Sequence, residues 1–400
     1  MKVSLIGIGM DGIHTLTKEA ETAIQESEIL IGAERMLAPF QNSGKQLLTA
    51  YKSQEIADFL HKSEKSSASV LLSGDIGFYS GAEKLRTLLN EHELHIYSGV
   101  ASPVYFSDKI GIPWENMKFF SLHGTENNIV IHIWQNPYCF FLLGGEMSAG
   151  KLCQRLCEYG MNQIKIHIGE RLGYPEERIL SGTAEAFQHL SVNHLSVLIA
   201  ENPDFFRNTP FLIPESDFYD DSVPEHVPIT KAEIRHLSVS SLEIEKNHIC
   251  WDIGSGTGSV SVEMAYHCPD GKVYALDKNA SACQLTKLNA HRFGCDNIEI
   301  FQGTAPENIA EFPAPDRVFI GGSSGNLRGI FEIIRQRNPS AKISITAVTL
   351  ETLEDAVHVF TDFGTESHIT QISITRTRKA GNYTMLNAQN PVFLIWGSLS

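Results

Sequence analysis

Between His248 and Ala265 the chain reads H-I-C-W-D-I-G-S-G-T-G-S-V-S-V-E-M-A. An apolar run leads into Gly254, Ser255, Gly256, Thr257 and Gly258, and a helix-period run follows. Glycines there let the backbone turn sharply and approach a bound group closely. The amides they expose, beside a helix N-terminus, favour an anionic group. The next run, K-V-Y-A-L, ends at Asp277, whose carboxylate can accept hydrogen bonds from two ribose hydroxyls. Loop, strand and terminal acid together predict an adenosine-containing cofactor at the carboxyl ends of the strands. A dinucleotide fingerprint, G-x-G-x-x-G, would place glycine at 259, where this chain has serine, and Asp252 precedes the loop. A glycine-rich turn without a ligand is the plain alternative.

The first half has no such loop. Gly7 and Gly9 end its first apolar run, L-L-S-G-D-I-G-F-Y-S (Leu71–Ser80) follows a second, and S-G-V-A-S-P-V-Y-F (Ser98–Phe106) a third. Asp75 fits either an Asx-turn or a functional carboxylate. Neither half shows an H-E-x-x-H or C-x-x-C pattern, so no metal is expected. Cys153 and Cys157, four apart on a predicted helix, fit core thiols.

The elements that must position these residues read as α/β layers on both sides of one connector. In the first half strands are predicted at Lys2–Ile8, Ser69–Leu72, Glu93–Tyr97, Tyr138–Leu143, Gln163–Gly169 and Ser196–Ala200. Helices are predicted at Thr17–Ser27, Ser53–Lys62, Ala82–Asn90, Pro103–Ile110 and Ala149–Tyr159. In the second half strands fall at Asn247–Ile253, Lys272–Leu276, Asn297–Phe301, Arg317–Ile320, Lys342–Ala347, His368–Thr375 and Pro391–Trp396, enough for one seven-stranded sheet. Between them, Glu201–Pro228 holds five prolines, seven acids and one arginine. Proline blocks ladder bonds and like charges repel, so this reads as an extended acidic linker. The expected division is residues 1–200, linker 201–228, and residues 229–400.

The 400 residues carry a formal charge of −15, which argues against a general nucleic-acid binder. No run is long and apolar enough for a membrane helix or a secretory signal. A cytoplasmic protein is expected, and seven scattered cysteines suit a reducing compartment.

The Gly254 loop resembles the class I S-adenosylmethionine methyltransferases. P-I-T-K-A-E-I-R (Pro228–Arg235), G-T-A-P-E (Gly303–Glu307) and I-G-G-S-S-G-N-L (Ile320–Leu327) occur in the order shown by the C-terminal corrin methyltransferases. That resemblance implies cofactor contacts from Thr230, Gly254 through Gly258, Asp277 and Ala305. Alternatives are an N-cap role for Thr230 on a helix beginning at Lys231, and packing for Ala305. Gly321, Gly322 and Gly325 fit either a flexible turn or an opening for a large flat substrate.

The first half is similar to the tetrapyrrole methylases, the class III S-adenosylmethionine enzymes. Its matches are Gly7-Ile8-Gly9, Gly74-Asp75-Ile76 and Ser98 to Ser102, with echoes in S-L-H-G (Ser121–Gly124) and R-L-G-Y-P-E-E-R-I (Arg171–Ile179). Ile76 and Ser98 stand where that family has proline. The likeness implies a cleft between two α/β subdomains, with Gly74, Asp75, Ile76 and Ser102 at the cofactor, Gly9 lining the cleft and Gly144 near it. The fusion as a whole resembles the two-domain decarboxylating corrin-ring methyltransferases of cobalamin biosynthesis. This implies one S-adenosylmethionine site per domain and a precorrin substrate, precorrin-6B. It also implies methylation at carbon 5 by the first domain, methylation at carbon 15 with loss of the ring C acetate carboxyl by the second, and precorrin-8X as product. The same chemistry on cobalt-containing intermediates stays open, as does a homo-oligomer, possibly a tetramer through the C-terminal domain.

A sulfonium methyl is already activated, so such chemistry asks mainly for alignment. No general acid or base is assigned. Candidates to grip a polycarboxylate are Arg328, Arg376, Arg378 and Lys379, with Gly322 beside the ring, although that charge run also suits a solvated loop. Rival readings are a nicotinamide-dependent oxidoreductase using the Gly254 loop, a non-catalytic binding module and a nucleic-acid methyltransferase.

Overall fold

The computed structural model describes residues 1–123, 128–145, 147–205, 213–219, 222–223 and 226–399. Gly124 of the S-L-H-G motif and two of the linker's five prolines, Pro210 and Pro224, lie outside the described residues. The chain forms two compact units. The first comprises Met1–Glu126, Pro137–Gln154 and Asn162–Asn202, and the second Asn127–Asn136, Arg155–Met161 and Pro203–Ser400. The second unit thus includes two short segments from early in the sequence. Asp296 explains one of them, because its carboxylate accepts the backbone N–H groups of Ile129, Val130 and Ile131 at 2.8–3.1 Å. These are the orphan donors at the start of the helix Val130–Gln135.

The first unit has two five-stranded sheets. One is parallel, in the order Gln46–Thr49, Ile29–Gly32, Ser67–Leu72, Lys2–Gly7, Glu93–Tyr97. Its three central strands are apolar on both faces, as helix-covered parallel strands must be. The other sheet runs Met117–Ser121, Tyr138–Leu142, Ser196–Glu201, Lys165–Glu170, Arg178–Thr183, with only the first pair parallel. Four of these ten strands have no counterpart in the sequence expectations: Ile29–Gly32, Gln46–Thr49, Met117–Ser121 and Arg178–Thr183. Two are only four residues long and three lie at sheet edges, where a half-exposed strand shows little apolar patterning.

The second unit has a seven-stranded sheet ordered Ile298–Gln302, Lys272–Asp277, Ile249–Ile253, Arg317–Ile320, Lys342–Ala347, Val392–Ser398, His368–Ile372. Five strands are parallel, and Val392–Ser398 runs antiparallel to both neighbours. The strand order reverses between Ile249–Ile253 and Arg317–Ile320, and a crevice opens there at their carboxyl ends. The expected strand to Thr375 stops at Ile372, and a separate hairpin, Thr375–Ala380 with Tyr383–Ala388, follows. Where it is described, the linker packs rather than spans. Ile213, Phe218, Val223 and Val227 are buried, because apolar residues sit among its acids.

Candidate active site

In the second unit the crevice is built by two loops pressed together. A Cβ on Gly254 would lie 2.7 Å from the Gly322 amide nitrogen. Gly254 and Ser255 both donate to the Leu276 carbonyl, at 2.8 and 3.1 Å, which ties the glycine loop to the neighbouring strand. Asp277 completes the tie: Oδ2 accepts from the Gly256 amide and Oδ1 from the Asn279 amide, both at 2.9 Å. The loops enclose a cavity of about 680 Å³ lined by Thr230, Gly254, Ser255, Gly256, Asp277 and Ala305, with Gly322 on the same wall. Residues far apart in sequence are thus brought to one surface.

Two residues of the expected cofactor set lie elsewhere. Thr257 is buried outside the cavity lining. Gly258 has φ +75°, and a Cβ there would meet Thr286 at 2.7 Å. The third glycine of the loop therefore permits close packing of the helices Ser259–His267 and Ala280–Arg292. Thr230 is not an N-cap either. The helix runs Ala232–Ser241, and Glu215 accepts the Ala232 amide at 2.8 Å. The Thr230 carbonyl accepts from Arg235 Nη1 at 3.1 Å. Arg235 is wholly buried, bound to Glu263 at 2.7 Å and to the Ile213 carbonyl, with Phe218 under its guanidinium. This pair holds one cavity wall to the helix that follows the glycine loop.

Asp252, two residues before the loop, is fully buried, with Ser261 donating to Oδ2 and no hydrogen-bond partner on Oδ1. Burial pushes its pKa up to about 7, and the nearby charge of Asp277 adds to the rise. It lies behind the loop and does not line the cavity.

The first unit uses the same device more tightly. Gly9 and Gly74 exchange backbone hydrogen bonds at 2.9 and 3.1 Å. A Cβ on Gly99 would lie 2.3 Å from the Gly74 carbonyl oxygen and 2.5 Å from that of Gly7. Asp75 accepts from Gly77 at 2.8 Å, as an Asx-turn does, and from Gly99 at 3.0 Å. A cavity of about 270 Å³ lies between the two sheets, lined by Gly74 and Ser102 together with Arg35, Tyr79, His123 and His194. Gly9, Asp75, Ile76 and Gly144 are not in its lining. Ile76 packs on the apolar core, and Gly144 lies under the His123 ring, where a Cβ would come within 2.0 Å of it.

The arginine candidates have partners of their own. Arg376 makes a bidentate pair with Glu215 at 2.9 and 3.0 Å and also binds Glu233. Burial raises the Glu215 pKa, but the hydrogen bonds from Arg376 and backbone amides, with the Arg376 charge, together outweigh it and hold the carboxyl down at about 2. Arg328 pairs with Asp362 at 2.6 Å, and Arg378 is exposed on the hairpin. None of the three lines the cavity. The cations that do are Lys231 and Lys278, neither of them among the residues expected from sequence. Their signal was position: Lys231 follows Thr230 inside P-I-T-K-A-E-I-R, and Lys278 follows Asp277. Tyr79 and His123 likewise lie inside the motifs L-L-S-G-D-I-G-F-Y-S and S-L-H-G.

The fold and its two glycine-loop clefts define a two-unit α/β methyltransferase. A sequence profile described as the precorrin methyltransferase domain matches residues 222–398, and one for tetrapyrrole (corrin/porphyrin) methylases matches residues 2–188. A probable cobalt-precorrin-6B C(15)-methyltransferase (decarboxylating) of Pyrobaculum calidifontis is 41% identical over 43% of this chain and 89% of that protein. A precorrin-6Y C(5,15)-methyltransferase (decarboxylating) of Sinorhizobium is 26% identical over 87% of this chain and 85% of its own length. The crystal structure of precorrin-6Y C5,15-methyltransferase from Geobacter metallireducens is similar at 33% identity, TM-score 0.44, over 47% of this chain and 97% of that one. Through its second unit the chain belongs to the cobalt-precorrin-6B C(15)-methyltransferase (decarboxylating) family, and over 87% of its length it is a homologue of the Sinorhizobium precorrin-6Y C(5,15)-methyltransferase.

Proposed function

We propose that this chain methylates precorrin-6B at carbons 5 and 15 and removes carbon dioxide from the ring C acetate, giving precorrin-8X. The carbon 5 step falls to the first unit, and the carbon 15 step with decarboxylation to the second. The observation that carries this reading is the convergence of Thr230, Gly254, Ser255, Gly256, Asp277 and Ala305 on one cavity at the strand-order reversal. Bound there, S-adenosylmethionine supplies a methyl group already activated by its sulfonium. Asp277 would hold the ribose hydroxyls, whereas the amides of Gly254, Ser255 and Gly256 are already bonded to Leu276 and Asp277 and shape the floor of the site rather than bond to the methyl donor. The backbone on both sides of Gly254 is fixed by hydrogen bonds before any ligand arrives, so alignment costs little reorganisation. Gly322 leaves its part of the lining bare: a Cβ there would meet nothing within 4 Å, which leaves room for a flat macrocycle. Loss of carbon dioxide leaves an electron pair that the conjugated ring takes up, so no electron sink from the chain is required.

In the first unit Gly74 and Ser102 would face the donor, with Asp75 fixing the loops behind them. We also place the reaction in the cytoplasm. Among the described residues no helix is long and apolar enough to cross a membrane. A homo-oligomer through the second unit would cover Tyr383 and Leu386, both more than 70% exposed on the hairpin.

The test uses the full chain, precorrin-6B and methyl-labelled S-adenosylmethionine. Two methyl groups and one carbon dioxide per macrocycle are expected. With the donor limiting, Asp277→Ala should slow carbon 15 methylation and leave carbon 5 methylation unchanged, and Gly74→Val should leave only the carbon 15 methyl with decarboxylation. One cleft placing both methyl groups would sink the division. A second reading, a cobalt-containing substrate, is favoured by the names of relatives such as the Pyrobaculum protein. Running both substrates side by side decides it by the ratio of kcat/KM.

A further inference from the structure

The charges lining the second unit's cavity do not resemble those of the chain as a whole. The chain carries −15, yet among the described residues Asp277 is the one acid in this lining, against Lys231, Lys278 and His226. Asp277 is already bonded to two backbone amides. Neither lysine has a carboxylate within 4.0 Å among the described residues, whereas Arg328 and Arg376 each have two. Lys278 reaches across to Ser324 Oγ at 3.2 Å, on the loop that carries Gly322. Lys231, beside Thr230 in the same lining, is half-buried. The same cavity carries an apolar surface from Val348, 72% exposed, and Val392.

Ammonium groups with no carboxylate partner among the described residues, beside the exposed Val348 side chain, match a ligand that is flat and apolar in its middle and anionic at its edge. We propose that Lys231 and Lys278 are the carboxylate-binding cations of the macrocycle site in the second unit, with Val348 as part of the surface under the ring. This rests on the function proposed above and adds the residues that grip the substrate. Lysine suits this role because its flexible stem lets a point charge follow peripheral acetate or propionate groups without fixing one geometry.

The experiment is made on the full chain with Lys231→Gln, Lys278→Gln, the double variant, and Lys→Arg at both sites. Steady-state carbon 15 methylation of precorrin-6B gives KM and kcat, and calorimetry gives the affinity for S-adenosylhomocysteine. Each single variant should raise the macrocycle KM roughly tenfold, the size expected for one charge-assisted hydrogen bond. The double variant should exceed either single, and the arginine variants should recover most of the loss. Affinity for S-adenosylhomocysteine should stay within twofold throughout. An unchanged macrocycle KM in the double variant overturns the assignment. So does a loss of S-adenosylhomocysteine affinity as large as the rise in KM, which would make these residues donor contacts. A wild-type chain that transfers no methyl to precorrin-6B overturns the function itself, an outcome distinct from both.

Discussion

The two clefts share one device and use it differently. In each, an aspartate after a strand accepts a backbone amide two residues on and a second amide from the neighbouring glycine loop: Asp75 with Gly77 and Gly99, Asp277 with Asn279 and Gly256. Asp277 lines its cavity and Asp75 does not. The first unit's glycines press backbone on backbone around Gly7, Gly74 and Gly99, whereas those of the second open onto a cavity more than twice as large. A glycine–aspartate signature therefore reports a clamped loop. Whether the clamp also touches a ligand depends on which side of it the cavity lies.

The most severe challenge to this contrast is Gly99→Ala. Its Cβ would fall on two carbonyl oxygens, neither the end of a flexible side chain. A loss of more than about 4 kcal/mol is expected. Thermal unfolding should show the first unit melting early, with carbon 5 methylation gone and carbon 15 methylation retained. A variant as stable as wild type would remove the close-approach argument.

Asp252 gives a pH-dependent contrast with no counterpart in the first cleft. Its pKa rises from 3.8 to about 7 on folding. Below pH 3.8 both states hold the proton and burial carries no ionic cost. Between 3.8 and about 7 only the unfolded chain ionises, so the folded state loses stability as pH rises, by on the order of 4 kcal/mol in all. Above that range the cost is constant. The stability of Asp252→Asn relative to wild type should therefore grow by about 2–3 kcal/mol between about pH 5 and pH 8 in urea titrations. A difference that stays flat with pH contradicts this.

Smaller effects refine the division between acid as clamp and acid as ligand contact. Asp277→Ala should weaken S-adenosylhomocysteine binding in the second unit by about 1–3 kcal/mol. Asp75→Ala should instead lower the stability of the first unit by about 1–2 kcal/mol, with less effect on donor affinity. Calorimetry and thermal unfolding on both variants read the two quantities separately, and equal losses of affinity would erase the distinction. The smallest change is Gly322→Ala, which should alter stability by no more than about 0.5 kcal/mol while raising the macrocycle KM. A large stability loss there would show that the wall is packed rather than open.

Local chemistry was legible in the chain itself. Apolar runs ending in glycine or aspartate marked the strands that carry both sites, because a buried parallel strand must be apolar throughout and a loop that touches its neighbour's backbone must lack a Cβ. The seven strands of the second sheet and the shared neighbourhood of Gly254, Ser255, Gly256 and Asp277 followed from that pattern, whereas Thr230, Ala305 and Gly322 were placed beside them only by the resemblance to the corrin methyltransferases. What only the tertiary structure decided was which partner each group meets. Gly258 looks like its neighbours in sequence but faces Thr286, Arg376 finds Glu215 and Glu233, and Lys231 and Lys278 are left, among the described residues, without a carboxylate partner at the cavity. Charge pairing and burial are properties of residues distant in sequence. Spacing along the chain does not encode them, and only the packing of the sheet and its loops sets those distances.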